Sequence, residues 1–284
     1  MVERLPEDRP IGIFDSGVGG LTVLRALHEH LPKEALLYLG DTARLPYGTK
    51  SPETVRRYAL QAAERLVDRG VKMLVIACNT ASAVGLGDLQ RHFAPLPVIG
   101  VVDPGARAAI EASRGGRILV IATEGTVRGG AYSRAIRRLW PAAEIESCAC
   151  PLFVALAEEG WTEGPVTEGA VHRYLASYFP EVVRGAVPSP EAIDVVVLAC
   201  THFPVLRNAI ADVVGVKVAL VDCAETTARA VASALMTAKL LRRRSSAAGT
   251  IRFLATDAPD RFCRVGALFR GATILPDEVE LVDL

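Results

Sequence analysis

Three observations predict an α/β fold with mainly parallel sheets. Apolar β-type runs alternate with longer helical patterns almost throughout the 284 residues. Most of those runs are apolar at every position, as in parallel strands covered on both faces. At roughly 150 residues per domain the length suggests two domains. Half of the residues are hydrophobic, enough for a sizeable core.

The elements follow in order. IGIFD (11–15) reads as the first strand and LTVLRALHEHL (21–31) as its helix. ALLYLGD (35–41) is the second strand and leads into a loop, RLPYGTKS. The helix PETVRRYALQAAERLVDRG has Ser51 as N-cap, Pro52 at its first position and Gly70 beyond its end. Further strands are predicted at VKMLVIAC (71–78), PVIGVVD (97–103), RILVIAT (117–123), IDVVVLAC (193–200), KVALVD (217–222) and TIRFLAT (250–256). PSPEA, around Pro188, reads as a turn or linker. KLLRRRSSAAG reads as a helix C-terminus, with Arg242 to Arg244 complementing the dipole before a polar loop.

Lys plus Arg and Asp plus Glu stand at 32 each, so no nucleic-acid groove and no anionic membrane surface is indicated. The N-terminal MVERLPEDRP has no apolar h-region, so a signal peptide is not expected, and no apolar stretch is long enough to span a bilayer. Six cysteines in such a chain, without an export signal, imply reduced thiols in a cytoplasm.

Ligands of open parallel α/β sheets bind beyond the carboxyl ends of the strands. The polar residues there are Asp15 and Ser16, Asp41 and Thr42, Cys78 with Asn79 and Thr80, Asp103, Thr123, Cys200 with Thr201 and His202, and Asp222. One pattern occurs twice. VKMLVIACNTAS and AIDVVVLACTHFP each run from an apolar strand through Ala-Cys and two polar residues into a helix. A helix N-terminus favours a thiolate. If the halves are related by an approximate two-fold, Cys78 and Cys200 face each other across a cleft. Moving a proton from one face of a carbon to the other needs two such groups.

Other chemistries fit less well. Cys200 and His202 are two residues apart, and Cys148 and Cys150 in CAC are too close for usual zinc spacing, so no metal is expected. A cysteine nucleophile with His202 as base remains open for acyl transfer but gives the second cysteine no task. FDSGVGGL lacks the spacing of a nucleotide loop, yet it can bring Asp15, Ser16 and backbone N–H groups close to a small ligand. Pyridoxal phosphate needs a Schiff-base lysine. Of the five lysines only Lys50 is near the strand ends, so no cofactor is expected.

GIFDSGVGGLTV, YLGDTARLPYG, LVIACNTASA, VIGVVDPGA, PLFVALAEEG, VLACTHFPVL and VDCAETTA together resemble the glutamate racemase family, within the aspartate/glutamate racemase superfamily. FLATDAPDRFCRVGALFRG extends the resemblance towards the end of the chain. It implies two pseudo-symmetric, doubly wound α/β domains with the active site in the cleft between them. The first would span 1–103 and 209–284, the second 104–208. It also implies cofactor-independent interconversion of L- and D-glutamate, supplying D-glutamate for peptidoglycan.

By that resemblance Cys78 takes the α-proton of D-glutamate and Cys200 that of L-glutamate. Asp15 assists Cys78, and His202 and Glu158 assist Cys200, with Glu159 beside Glu158 in AEEG. Ser16, Pro46, Tyr47, Gly48, Asn79, Thr80, Thr123 and Thr201 match substrate-holding positions. The family also admits a homodimer. Ala199, Phe203 and Cys223 depart from common family residues but touch no proposed proton carrier. The short segment before the first strand leads us to expect no activation by a peptidoglycan precursor. The remaining alternatives are an aspartate racemase, a decarboxylase of the same fold, which would keep only one of the paired cysteines, and a binding protein without catalysis.

Overall fold

Apolar runs bounded by polar strand ends fold into two wholly parallel sheets joined by helices. The computed structural model describes residues 5–183, 185, 189, 192–242 and 248–284. Pro188 of the expected turn, and Arg243 and Arg244 of the basic cluster, lie outside the described residues.

The strands are β1 (Ile11–Asp15), β2 (Leu36–Gly40), β3 (Met73–Ile76), β4 (Val98–Gly100), β5 (Arg117–Ala122), β6 (Glu144–Ala149), β7 (Val195–Ala199), β8 (Ala219–Asp222), β9 (Ile251–Ala255) and β10 (Val279–Leu281). The helices begin with α1 (Leu21–His30), α2 (Pro52–Asp68), α3 (Asn79–His92), α4 (Val102–Ala112), α5 (Glu124–Gly129) and α6 (Ala131–Leu139). They continue with α7 (Leu152–Glu158), α8 (Pro165–Leu175), α9 (Pro180–Val183), α10 (Arg207–Val214), α11 (Cys223–Thr237) and α12 (Pro259–Arg270). The predicted start of α2 is present. The Ser51 hydroxyl accepts the Thr54 N–H at 3.2 Å, Pro52 opens the helix, and Gly70 follows it at φ +75°.

One sheet has the order β10-β9-β2-β1-β3-β4 and the other β6-β5-β7-β8. The run β2-β1-β3-β4 is repeated by β6-β5-β7-β8, so the halves correspond strand for strand. In each, the chain leaves its first strand to one side and later returns to the other. The switch points therefore lie between β1 and β3 and between β5 and β7, where ligands are expected.

Two strands had no counterpart in the predicted elements. β6 carries exposed Glu144 and Glu146, alternating with half-buried residues, as suits a sheet edge. β10 has only three residues. The boundary drawn at 208/209 also meets a difference. β8 pairs with β7 and so lies in the second sheet. The return to the first sheet comes after it, along α11. Arg242 also differs from expectation. It lies beyond the end of α11 and bonds to Asp8 at 3.3 Å and to the Lys33 carbonyl at 3.2 Å.

Period-two alternation divides the core. Ile11, Ile13, Met73, Val75 and Ala77 join Ile118, Val120, Val195, Val197 and Ala199 in one buried cluster, together with residues of α1, α4, α11 and α12. This layer belongs to both sheets and holds them together. The opposite faces form separate clusters, one containing Phe14, Leu74, Ile76 and Cys78, the other Val196, Leu198 and Cys200. The thiols thus continue the outward-facing rows of β3 and β7. Among the described residues no helix is long and apolar enough to cross a membrane.

Candidate active site

Cys78 lies two residues beyond β3 and caps α3. Its sulfur accepts the Ala81 N–H at 3.5 Å, and its S–H lies 3.5 Å from the Ser16 hydroxyl. Burial first, and then the Asp15 carboxylate, push this thiol up to about 12. Cys78 is therefore a protonated donor near neutral pH.

Asp15, the last residue of β1, is wholly buried. One oxygen accepts the Gly17 N–H at 3.0 Å, and the other faces the Thr201 hydroxyl at 3.5 Å. Burial pushes its carboxyl up, opposed by the charge on His202 and by the N–H groups of Gly20, Gly17 and Ser16. The Gly-rich loop owes its composition to these close contacts. A Cβ on Gly19 would lie 2.4 Å from Thr201 Oγ1 and 2.5 Å from His202 Nδ1. One on Gly20 would lie 2.5 Å from the Asp15 Cβ. Just beyond, the Thr22 hydroxyl reaches the Thr201 carbonyl at 3.3 Å. The β1 end of one sheet and the β7 end of the other thus meet directly.

On the second side, Cys200 Sγ lies 3.9 Å from His202 Nδ1, and His202 Nε2 lies 3.1 Å from Glu158 Oε1. Arg261 donates to the other oxygen of Glu158 at 2.8 Å. Burial alone would push the imidazole down, but its bonds with Cys200 and Glu158 overcome this and hold it up at about 10. Burial likewise opposes charge on Glu158, and His202 and Arg261 win, keeping its carboxyl below the usual range. Of the two neighbouring glutamates, Glu158 makes these contacts while Glu159 is exposed.

The proposed substrate-holding residues are brought together unequally. The Thr80, Thr123 and Thr126 hydroxyls form a triangle with separations of 3.0, 3.2 and 3.2 Å. Gly48 packs against this triangle. A Cβ there would lie 2.6 Å from the Thr123 Cβ. The Asn79 carbonyl oxygen accepts the Tyr132 hydroxyl at 2.6 Å, leaving its NH₂ group for a ligand. Tyr47 differs. Its hydroxyl donates to the buried Asp41, which also accepts from Arg44 at 2.7 Å and Thr256 at 3.0 Å. Asp41 thereby pins the loop that delivers Gly48, and only the backbone of Tyr47 is free to serve a ligand.

Two cavities open at the mouth of the cleft. One of about 240 Å³ is lined by Leu45, Pro46, Gly48, Thr123, Val154 and Glu158. The other, about 270 Å³, is lined by Val18, Leu45, Glu158, Arg261 and Phe262. Leu45 and Glu158 border both, so these two side chains divide the mouth. A larger cavity of about 920 Å³ beside Arg117, Glu144 and Tyr178 touches none of the site residues. Among the described residues no group of three or more His, Cys, Asp or Glu could hold a metal ion.

Sequence reasoning missed Thr126, Tyr132 and Arg261. Thr126 and Tyr132 lie just behind the β5 end, where Thr123 was the only residue singled out. Arg261 had no signal, because it meets Glu158 only through a contact between residues 103 positions apart.

Residues 11–231 match the family described as Asp/Glu/Hydantoin racemase. The chain is 50% identical over 266 residues to glutamate racemase of Geobacter metallireducens, covering 94% of each. It is 45% identical over 274 residues to glutamate racemase of Syntrophus aciditrophicus, covering 96% of this chain and 97% of that one. A crystal structure of glutamate racemase from Francisella tularensis in complex with D-glutamate superposes with a TM-score of 0.87 at 35% identity, covering 98% of both chains.

Two expectations follow from this geometry. Gly19→Ala should push Thr201 and His202 out of register and lower kcat/KM about 100-fold in a steady-state assay. A wild-type value would mean that the close approach is dispensable. His202 keeps its proton to about pH 10 when folded, against 6.5 ordinarily. The folded state therefore binds the extra proton between these values. The stability it contributes is complete below about pH 6.5 and lost as pH rises towards 10. The difference in Tm between the wild type and His202→Asn should shrink over that window. A difference independent of pH would contradict a charged His202.

Proposed function

The chain belongs to the Asp/Glu/hydantoin racemase family, and on that premise we propose that it interconverts L- and D-glutamate by proton transfer between two cysteines. The observation that carries the mechanism is the equivalence of Cys78 and Cys200. Each stands just beyond the strand across the switch point, β3 in one sheet and β7 in the other, and each sulfur has a polar neighbour, Ser16 for Cys78 and His202 for Cys200. We take the two sheets as two units, with the return crossing placed after β8.

The α-proton of an amino acid is weakly acidic, so the site must stabilise negative charge developing on the α-carboxylate. The N–H groups at the start of α3, the Asn79 NH₂ and the threonine triangle are the donors for this task. Ser16 and the backbone around Tyr47 and Gly48 complete the enclosure, with Pro46 at its rim.

The resting charges define one direction. Cys78 is protonated, because burial and Asp15 oppose its thiolate. His202, protonated beside Cys200, can hold the positive charge that accompanies a thiolate there. In this state Cys200 removes the proton of L-glutamate from one face, and Cys78 delivers its own to the opposite face. For D-glutamate the roles reverse. Asp15 then takes up the proton of Cys78, and His202 returns one to Cys200. Burial raises the Asp15 carboxyl, which makes it a better proton acceptor than an exposed aspartate.

The Gly19, Thr201 and His202 contacts leave no space for a further methyl group where the β1 and β7 ends meet, and the cavities at the mouth are the route by which substrate reaches the site. The protein would supply D-glutamate for peptidoglycan in the cytoplasm. The homodimer that the family admits is part of the same proposal.

The decisive experiment incubates the protein with L-glutamate in deuterated water. D-glutamate carrying α-deuterium is expected; folded protein that gives neither exchange nor the D-isomer would sink the reading. Cys78→Ser and Cys200→Ser should each lower racemisation by about 10²- to 10⁴-fold. Full activity in both directions from either variant would rule out two-base transfer.

A further inference from the structure

Resting on the roles given to Cys200, His202 and Glu158, we propose that Arg261 is a positioning residue for proton transfer at Cys200. It reaches across the cleft and fixes the Glu158 carboxylate in the orientation that holds His202. Glu158 is the last residue of α7, a helix of only seven residues. Among the described residues its carboxylate bonds to two side chains, one per oxygen: His202 at 3.1 Å and Arg261 at 2.8 Å. A carboxylate with a charged donor on each oxygen is fixed in both plane and rotation. With His202 alone it could turn about its terminal bond, and the distance to Nε2 would no longer be set.

Arg261 is well placed for this from the other unit. It lies in the first turn of α12, which follows β9 of the six-stranded sheet, while Glu158 follows β6 in the four-stranded one. The same helix touches the relay a second time. The Phe269 ring stands edge-on to the His202 imidazole, centroids 5.1 Å apart. α12 therefore seats both the ring of His202 and the carboxylate that bonds to it. The resulting chain, Arg261 to Glu158 to His202 to Cys200, runs from a half-exposed guanidinium at the mouth to a buried thiol. Its first link spans the two units, so the arrangement of the base depends on how they meet at the mouth.

A double-mutant cycle on glutamate racemisation tests the role, using Arg261→Gln, Arg261→Lys, Glu158→Gln and the Arg261→Gln/Glu158→Gln pair. Arg261→Gln should lower kcat about tenfold, the loss of one charge-assisted hydrogen bond, and leave KM within about twofold. Arg261→Lys should restore most of kcat. The pair should be no slower than Glu158→Gln alone, since Arg261 acts through that carboxylate. Wild-type kcat in Arg261→Gln, or losses that multiply in the pair, would overturn the role. A wild-type protein inert towards glutamate would instead overturn the proposed function on which the role rests.

Discussion

The contact of Gly19 with Thr201 and His202 is the constraint on which the site depends. Two strand ends from different sheets meet there with no space for one more methyl group. The apolar layer shared by the sheets fixes the relative position of their strands, and α1 and α11 lie within it. Given that layer, the loop after β1 is forced against the turn after β7. Any side chain at position 19 would separate them. Asp15 would then lose Thr201, and His202 would be displaced from its place beside Cys200.

From that approach follows an electrostatic asymmetry between two halves of like topology. On the β3 side burial and a carboxylate keep a thiol protonated. On the β7 side a carboxylate, an imidazole and a guanidinium form a chain that keeps the imidazole charged. The strand order is repeated, but the residues around each sulfur are not. The two sulfurs of the repeated topology therefore sit in unlike surroundings, a buried carboxylate near one and a charged imidazole beside the other.

Much of the fold was legible because parallel strands buried on both faces leave uninterrupted apolar runs. IGIFD, MLVI and VVVLA could hardly be anything else at that length and in that alternation. EIESCA was not legible. An edge strand such as β6 alternates charged and apolar residues and reads like a loop. The placement of β8 failed for a different reason. KVALVD was predicted as a strand, but which sheet a strand joins depends on hydrogen bonds to a distant partner. Cys78 and Cys200 were visible through their repeated surroundings, and Tyr47 was visible as a residue but not in the direction of its hydroxyl.

The sequence by itself determined the strand ends and the chemistry placed on them: two thiols, four carboxylates, an imidazole and a set of hydroxyls. Those are local properties, set by hydrophobic periodicity and by the polar residues where each run stops. Only the tertiary structure decided which of them meet. It chose Glu158 over its neighbour, turned Tyr47 towards Asp41, seated Arg261 on the opposite side of the cleft and made Gly19 indispensable to the approach. Each of those outcomes rests on separations of a few ångströms between residues far apart in the chain, and such distances arise only when the two sheets pack against their common apolar layer.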